Sequence, residues 1–188
     1  MEESTLSRRK FLVLSSSLIA MAATPSLATL VIPKPPPRFS TRKLALYNIH
    51  TEETFEGTYW RENAYDKKAL ERLTHVLRDW RNNKKHPIDP RLFDALHRLQ
   101  STLGNHDPFQ IISGYRSKET NAMLCKKSRG VSRNSRHMKG EALDIAREGT
   151  SLKELSNAAR ALKVGGVGYY PRSNFIHIDI RPKPAFWS

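Results

Sequence analysis

The most regular alternation of apolar and polar positions lies close to the C-terminus. Every second residue there is isoleucine, so one face of a predicted strand would enter the core through Ile176, Ile178 and Ile180. The opposite face carries Phe175, His177 and Asp179. This pattern predicts a strand that holds an imidazole and a carboxylate together over a cleft.

A second strand is predicted around Asp144. Residues 140–146 are mostly small and apolar, with Leu143 and Ile145 on one face of the strand and Asp144 on the other. The Asp144 carboxylate is therefore expected to point away from the apolar side, as His177 does on its own strand.

Helical spacing of apolar residues predicts three amphipathic helices. The first begins at Asp66 and extends to Trp80, before the basic run 81–85, and the second begins at Asp89-Pro90 and extends to Leu103. The third covers 152–162 and is stopped by Gly165-Gly166. A further helix is expected to start after the turn at 114–116, where Ser117 precedes Thr120.

The remaining strands complete the predicted fold. Residues 43–49 and 53–59 have the composition of a hairpin, 109–113 that of a short buried strand, and 168–170 that of another strand. We therefore expect an α+β domain, in which a small antiparallel sheet carries the site and helices pack on its other side.

The N-terminus has the pattern of an export signal. A twin-arginine motif in 7–12 is followed by an apolar stretch at 11–23, which is shorter than the roughly 20 residues that span a bilayer, and by the small-x-small sequence of 26–28. We expect a twin-arginine signal peptide at 1–28, a proline-rich linker at 29–42 and one domain at 43–188. The mature protein is then expected to have no stable membrane insertion.

Charge and cysteine content narrow the function classes. The chain carries 32 basic and 18 acidic residues, a net charge of +14, which suits an anionic polymer as partner. A nucleic-acid partner is disfavoured because the basic residues are dispersed and no nucleic-acid-binding motif occurs. Cys125 is the single cysteine, so the chain cannot form an internal disulfide.

Candidate metal chemistry comes from His137, Asp144 and His177. Zinc binds imidazole nitrogen and carboxylate oxygen, and catalytic zinc sites use three protein ligands and keep a fourth position open. These three residues supply that number and those ligand types.

The spacing of these residues resembles a known signature. The run Ser135-x-His137-x-x-Gly140-x-Ala142-x-Asp144, followed by a distant histidine on an isoleucine-alternating strand, resembles the LAS-type zinc D,D-peptidases. Segments 46–52, 111–117 and 165–179 are similar to the YcbK-like branch of that superfamily. The resemblance covers nearly the whole mature chain.

The resemblance implies a periplasmic zinc enzyme that hydrolyses peptide cross-links in peptidoglycan, with diaminopimelate-diaminopimelate bonds as one candidate linkage. Its partners would be peptidoglycan stem peptides, and its Zn²⁺ would be held by His137, Asp144 and His177. The residues expected to contact substrate are Arg116, Ser135, Tyr169 and Tyr170.

The sequence leaves the roles of Arg116 and Asp179 open. Arg116 would stabilise the developing oxyanion, or it would form a structural ion pair. Asp179 would act as general base, or it would orient a ligand imidazole, and His50 is a more remote candidate base.

The chain departs from the family pattern near the last ligand. Related enzymes often carry Glu or His two or three residues before it, where this chain has Phe175 and Asn174. A non-catalytic zinc-containing module that binds peptidoglycan is therefore the alternative to an endopeptidase.

Overall fold

The computed structural model describes residues 40–128 and 130–188. The strands are β1 (Arg42–Asn48), β2 (Thr54–Arg61), β3 (Ala64–Tyr65), β4 (Phe109–Ser113), β5 (Ala142–Arg147), β6 (Gly166–Tyr170), β7 (Phe175–Asp179) and β8 (Ala185–Trp187). The α-helices are α1 (Lys67–Val76), α2 (Pro90–Leu103), α3 (Lys118–Lys127) and α4 (Leu152–Leu162). Two 3-10 turns lie at Arg136–Lys139 and Pro171–Ser173. The predicted signal peptide and most of the predicted linker lie outside the described residues.

The eight strands of the described residues belong to one sheet, in the order β3-β2-β1-β4-β5-β7-β6-β8. The α+β class is confirmed, but the expectation of a small antiparallel sheet is wrong. The pairs β1-β4 and β6-β8 are parallel, and the other neighbours are antiparallel. Parallel pairing is possible at β1-β4 because α1 and α2 supply the long crossover connection that it needs.

Helices α1, α2 and α4 pack against the sheet: α1 contacts β2, α2 contacts β1, and α4 contacts β5, β6 and β7. The predicted alternation explains this packing, because Leu143, Ile145, Ile176 and Ile178 are fully buried in the core. Asp144 and His177 consequently project from the other face of the central strands. Burial of such aliphatic side chains, at about 25 cal/mol per Å² of apolar surface, is the main stabilising contribution.

Capping residues fix where the helices begin. Asp89 caps α2 by accepting a hydrogen bond from the backbone N–H of Arg91, and Pro90 occupies the first helical position. Ser117 caps α3 by accepting one from the N–H of Thr120. Across the part of the chain that the structure describes, no helix combines the length and the apolar character needed to cross a bilayer.

Helix α1 ends at Val76, earlier than the predicted end at Trp80. Leu77 is fully buried, as its position in the apolar pattern predicts, but its carbonyl accepts a hydrogen bond from the N–H of Tyr115 instead of continuing the helix. The turn that follows is organised by Asp79, whose carbonyl accepts hydrogen bonds from the N–H groups of Asn82 and Asn83. This early end brings the chain after α1 against the segment that carries Arg116.

Candidate metal centre

His137, Asp144 and His177 converge at one point. Asp144 on β5 and His177 on β7 are direct partners in the antiparallel register, and His137 comes from the 3-10 turn at Arg136–Lys139. Oδ1 of Asp144 lies 3.0 Å from Nδ1 of His177 and 3.2 Å from Nε2 of His137, and the two ring nitrogens are 3.2 Å apart. In the described part of the chain, this is the one group of three such side chains that could hold a metal ion.

Local structure holds the His137 ring in one orientation. Ser135 caps the 3-10 turn by accepting a hydrogen bond from the N–H of His137, and Gly140 ends it in the left-handed conformation. Nδ1 of His137 lies 2.8 Å from the carbonyl of Gly114, so Nδ1 carries the proton and donates it there. Nε2 is then left with a lone pair that faces Asp144.

In His177 the roles of Nδ1 and Nε2 are the reverse of those in His137. Its Nε2 lies 3.2 Å from Oδ2 of Asp179, to which it donates, and its Nδ1 faces Asp144 and His137. Three lone-pair atoms at separations of 3.0 to 3.2 Å repel one another unless a proton or a cation lies among them. Tetrahedral zinc with bonds of 2.0 to 2.1 Å places its ligands about 3.3 Å apart, so the residues fit this metal.

The charge states of the three groups also suit a cation. Burial raises the pKa of Asp144, but the neighbouring imidazoles outweigh burial and hold that pKa well below its usual range. Burial lowers the pKa of His137, which keeps this ring neutral. For His177, burial lowers the pKa, but hydrogen bonds to Asp144 and Asp179 outweigh it and raise the pKa to about 9. A metal ion at this position would compete with a proton on His177.

Arg116 contacts the candidate metal centre through a hydrogen bond to Asp144. Its Nη2 donates to Oδ2 of Asp144 at 3.3 Å and to the hydroxyl of Ser113 at 3.2 Å. Its backbone N–H donates to the carbonyl of His137. The guanidinium also lines the cleft beside the metal centre. The ion pair considered from the sequence is present.

Asp179 is fully buried, and both its carboxylate oxygens are occupied. Oδ1 accepts hydrogen bonds from the N–H groups of Gly166 and Arg181, and Oδ2 accepts from Nε2 of His177 and from Nη2 of Arg181. These partners hold the pKa of Asp179 well below its usual range against the effect of burial. The carboxylate faces His177 rather than open solvent.

An open cleft of about 640 Å³ lies over the three residues. Ser135 and Tyr170 line it, together with Phe175 and the polar residues Ser128, Ser132 and Asn134. Tyr169 does not line it. Tyr169 pairs with Ile176 on β7, and both side chains lie on the core face of the sheet.

Among the cleft residues that the sequence did not predict are Arg181 and Trp187. Trp187 lies in a strand of three residues, which is too short to show a period. Arg181 follows directly after the isoleucine alternation, and a basic residue two positions from Asp179 was the available signal. His50, the remote candidate base, is placed elsewhere: it stacks on Trp80 with 4.1 Å between ring centroids.

Comparison with known proteins identifies relatives along nearly the whole chain. The family model described as peptidoglycan L,D-endopeptidase MepK matches residues 37–186. The peptidoglycan L,D-endopeptidase MepK of Escherichia coli strain K12 is 45% identical over 184 residues, which cover 97% of this chain and 98% of that protein. The probable peptidoglycan L,D-endopeptidase MepK of Haemophilus influenzae is 38% identical over 176 residues, covering 93% of this chain and 92% of the relative.

No solved structure matches the chain significantly. The family model covers His137, Asp144 and His177, and all of the described sheet except its last residue, Trp187. The chain therefore belongs to the peptidoglycan L,D-endopeptidase MepK family.

Proposed function

We propose that this chain is a zinc-dependent endopeptidase that hydrolyses peptide cross-links in peptidoglycan. The observation that carries the proposal is the convergence of His137, Asp144 and His177 at the base of an open cleft. The names of the relatives indicate an L,D bond, and we propose the linkage between two diaminopimelate residues as the substrate bond.

Nε2 of His137, Oδ1 of Asp144 and Nδ1 of His177 would hold the zinc ion. When bound, the ion supplies Lewis acidity that activates water for attack and polarises the scissile carbonyl. The protein residues contribute by fixing the ligands before substrate arrives: two ligands lie on adjacent strands, and the third is held by its hydrogen bond to Gly114. Little reorganisation is then needed during the reaction.

Arg116 is proposed to stabilise the negative charge that develops on the carbonyl oxygen. It lies at the cleft wall and is mostly buried, so its charge acts through a medium of low dielectric constant. Its hydrogen bond to Asp144 also keeps one oxygen of this carboxylate away from the metal position. Arg116 thus combines the two roles that the sequence left open.

Asp179 is proposed to orient His177 rather than to take a proton from water. A general base needs access to the proton that it removes, whereas Asp179 is fully buried and both its oxygens already accept hydrogen bonds. A carboxylate that accepts from the second nitrogen of a ligand histidine fixes the tautomer and raises the basicity of the ligand.

The second candidate function is a non-catalytic peptidoglycan-binding module. It is favoured by one observation. Among the described residues, the carboxylates that line the cleft are those of Asp144 and Asp179, and both already accept hydrogen bonds, so neither is free to act as a general base. The position of a frequent family base holds Asn174, which lies in a left-handed turn between β6 and β7.

We further propose that the protein works in the periplasm after export by the twin-arginine pathway. The N-terminal motif supports this location, and so does the proposed substrate, which lies outside the cytoplasmic membrane. The strongly basic composition favours association with anionic stem peptides.

Digestion of defined muropeptide dimers tests the proposal. Dimers joined by an L,D bond between diaminopimelate residues, and dimers joined by a D,D bond, are incubated with zinc-loaded protein and analysed by mass spectrometry. We expect monomers from the L,D-linked dimer, and none after chelation or with His137→Ala. Binding of both dimers without any monomer product would support the module instead.

A further inference from the structure

We propose that Trp187, in the C-terminal strand β8, is a positioning residue for the metal centre. The inference rests on the proposed metal site. The indole lies beside His177, with 5.4 Å between ring centroids, and the guanidinium of Arg181 lies 4.8 Å from the indole centroid. Trp187 thus contacts both residues that donate hydrogen bonds to Oδ2 of Asp179.

The sheet register places the indole at this point. Gly168 on β6 pairs with His177 on β7 and with Trp187 on β8. Because Gly168 has no side chain, the indole lies across β6 and reaches His177. A Cβ atom at position 168 would be 2.5 Å from Nε1 of Trp187, which is closer than real Cβ contacts. Gly168 is therefore needed for the position of the indole.

Further contacts prevent the indole from rotating away. Nε1 of Trp187 donates a hydrogen bond to the hydroxyl of Tyr170 at 2.9 Å. The Trp187 carbonyl accepts a hydrogen bond from Nη2 of Arg160 at 3.5 Å, which attaches the end of β8 to α4. Trp187 is thus held through both its indole N–H and its backbone carbonyl.

The network that the indole covers determines the orientation of His177. Arg181 donates to both oxygens of Asp179, with Nη2 at 2.6 Å and Nε at 3.0 Å, and Asp179 in turn accepts from Nε2 of His177. Hydrogen bonds among charged groups are stronger where water is excluded. The indole covers one side of the Arg181 guanidinium, whose side chain is 31% exposed, and one side of the His177 ring, whose side chain is 13% exposed. By limiting the access of water to these groups it would keep Nδ1 of His177 directed at the metal position.

Metal affinity distinguishes this role from two simpler ones. An indole that only contacted substrate would change KM and leave zinc affinity unaltered, since the ligands would keep their orientation. An indole that only stabilised β8 would change the thermal stability of the metal-free protein and leave zinc affinity unaltered. A positioning residue changes zinc affinity itself, because loss of a group that orients a ligand typically costs about 10- to 100-fold.

The test compares Trp187→Ala, Trp187→Phe and Gly168→Ala with the control Phe186→Ala. Phe186 is the adjacent residue on the same strand, but its side chain is 47% exposed and is absent from the cleft lining. Zinc affinity is measured by competition with a chromophoric chelator, and the visible spectrum of the Co²⁺-substituted protein reports ligand geometry. Circular dichroism of the metal-free proteins checks folding.

We expect Trp187→Ala and Gly168→Ala to bind zinc about 10-fold more weakly and to show an altered Co²⁺ spectrum. Trp187→Phe keeps an aromatic ring over His177 and should bind close to wild type, as should Phe186→Ala. If Trp187→Ala and Gly168→Ala bind zinc as tightly as Phe186→Ala, the positioning role is overturned while the proposed function stands. If the wild type itself binds no zinc, both are overturned.

Discussion

Asp144 on β5 and His177 on β7 face each other directly in the antiparallel register, with 3.0 Å between Oδ1 of Asp144 and Nδ1 of His177. Because both residues belong to central strands with fully buried neighbours, their backbones are held by the core. The third candidate ligand, His137, is attached through its hydrogen bond to Gly114. The fold therefore largely fixes the geometry of the candidate metal centre.

Replacement of Asp179 by asparagine distinguishes a role in orienting His177 from a role as general base. If Asp179 orients His177, Asp179→Asn should lower zinc affinity about 10- to 100-fold. Saturating zinc should then restore most of kcat, because the bound ligand ring is held by the metal. The measurement is kcat as a function of free zinc concentration in a metal buffer. A large loss of kcat at full zinc occupancy would instead assign proton transfer to Asp179.

Arg116→Met is expected to reduce kcat about 10²- to 10³-fold, because a donor to the developing oxyanion is removed. The kinetics are compared at saturating zinc, because Asp144 also loses its hydrogen bond from Arg116. Arg136→Met is a matched control: Arg136 also lines the cleft, but its guanidinium is bound to Glu141. Steady-state kinetics on the L,D-linked dimer would contradict the assignment if both variants kept a wild-type kcat.

Gly140→Ala and Gly149→Ala test how tightly the turn carrying His137 is packed. Both glycines have positive φ, +67° and +69°, so an alanine at either position costs about 1 kcal/mol of backbone strain. At Gly140 the added Cβ would also lie 2.2 Å from the carbonyl oxygen of Pro87, whereas nothing lies within 4 Å at Gly149.

We therefore expect Gly140→Ala to be less stable than Gly149→Ala by a further 1 to 3 kcal/mol or so, from overpacking. Urea unfolding of the two variants gives this difference directly. Equal free energies of unfolding would show that the Pro87 segment moves away freely.

Glu53→Gln probes an ion pair remote from the cleft. A hydrogen bond from Arg78 lowers the pKa of Glu53 from 4.5 to about 2. Since the folded pKa is depressed, the stabilisation is present above pH 4.5 and is lost as the pH falls towards 2. The partly exposed pair should contribute about 1 kcal/mol or less.

The difference in unfolding free energy between wild type and Glu53→Gln, measured from pH 7 to pH 2, should therefore shrink below pH 4.5. As a control, Glu56→Gln removes an exposed carboxylate on β2 that has no ion-pair partner in the described residues. A difference for Glu53→Gln that does not vary with pH would contradict the ion pair.

Much of the fold could be predicted from local patterns. The isoleucine alternation of β7 and the small apolar run of β5 predicted which face each strand buries, and Asp89-Pro90 predicted the start of α2. The two parallel pairings could not be predicted, because strand partners are chosen by long-range packing that leaves no local period. Strands β3 and β8 have two and three residues, too few for alternation to appear.

The candidate site could be predicted in its residue types but not in its hydrogen bonding. The spacing of His137, Asp144 and His177 matched a family signature, and these side chains do converge. The engagement of Asp179 by Arg181 depends on the backbone turn after β7, and the contact of Trp187 with His177 depends on the register of β8 against β6. For Arg181 the available signal was a basic residue two positions after Asp179, whereas the contact of Trp187 with His177 leaves no signal in the spacing along the chain.

The zinc content of the purified protein is the most direct test of the central claim that His137, Asp144 and His177 bind a single divalent ion. Protein never exposed to chelator is analysed by elemental mass spectrometry, beside His137→Ala and His177→Ala variants whose folding is confirmed by circular dichroism. We expect about one equivalent of zinc in the wild type and a large loss in each variant. Less than about a tenth of an equivalent in the wild type, or undiminished zinc in both variants, would contradict it.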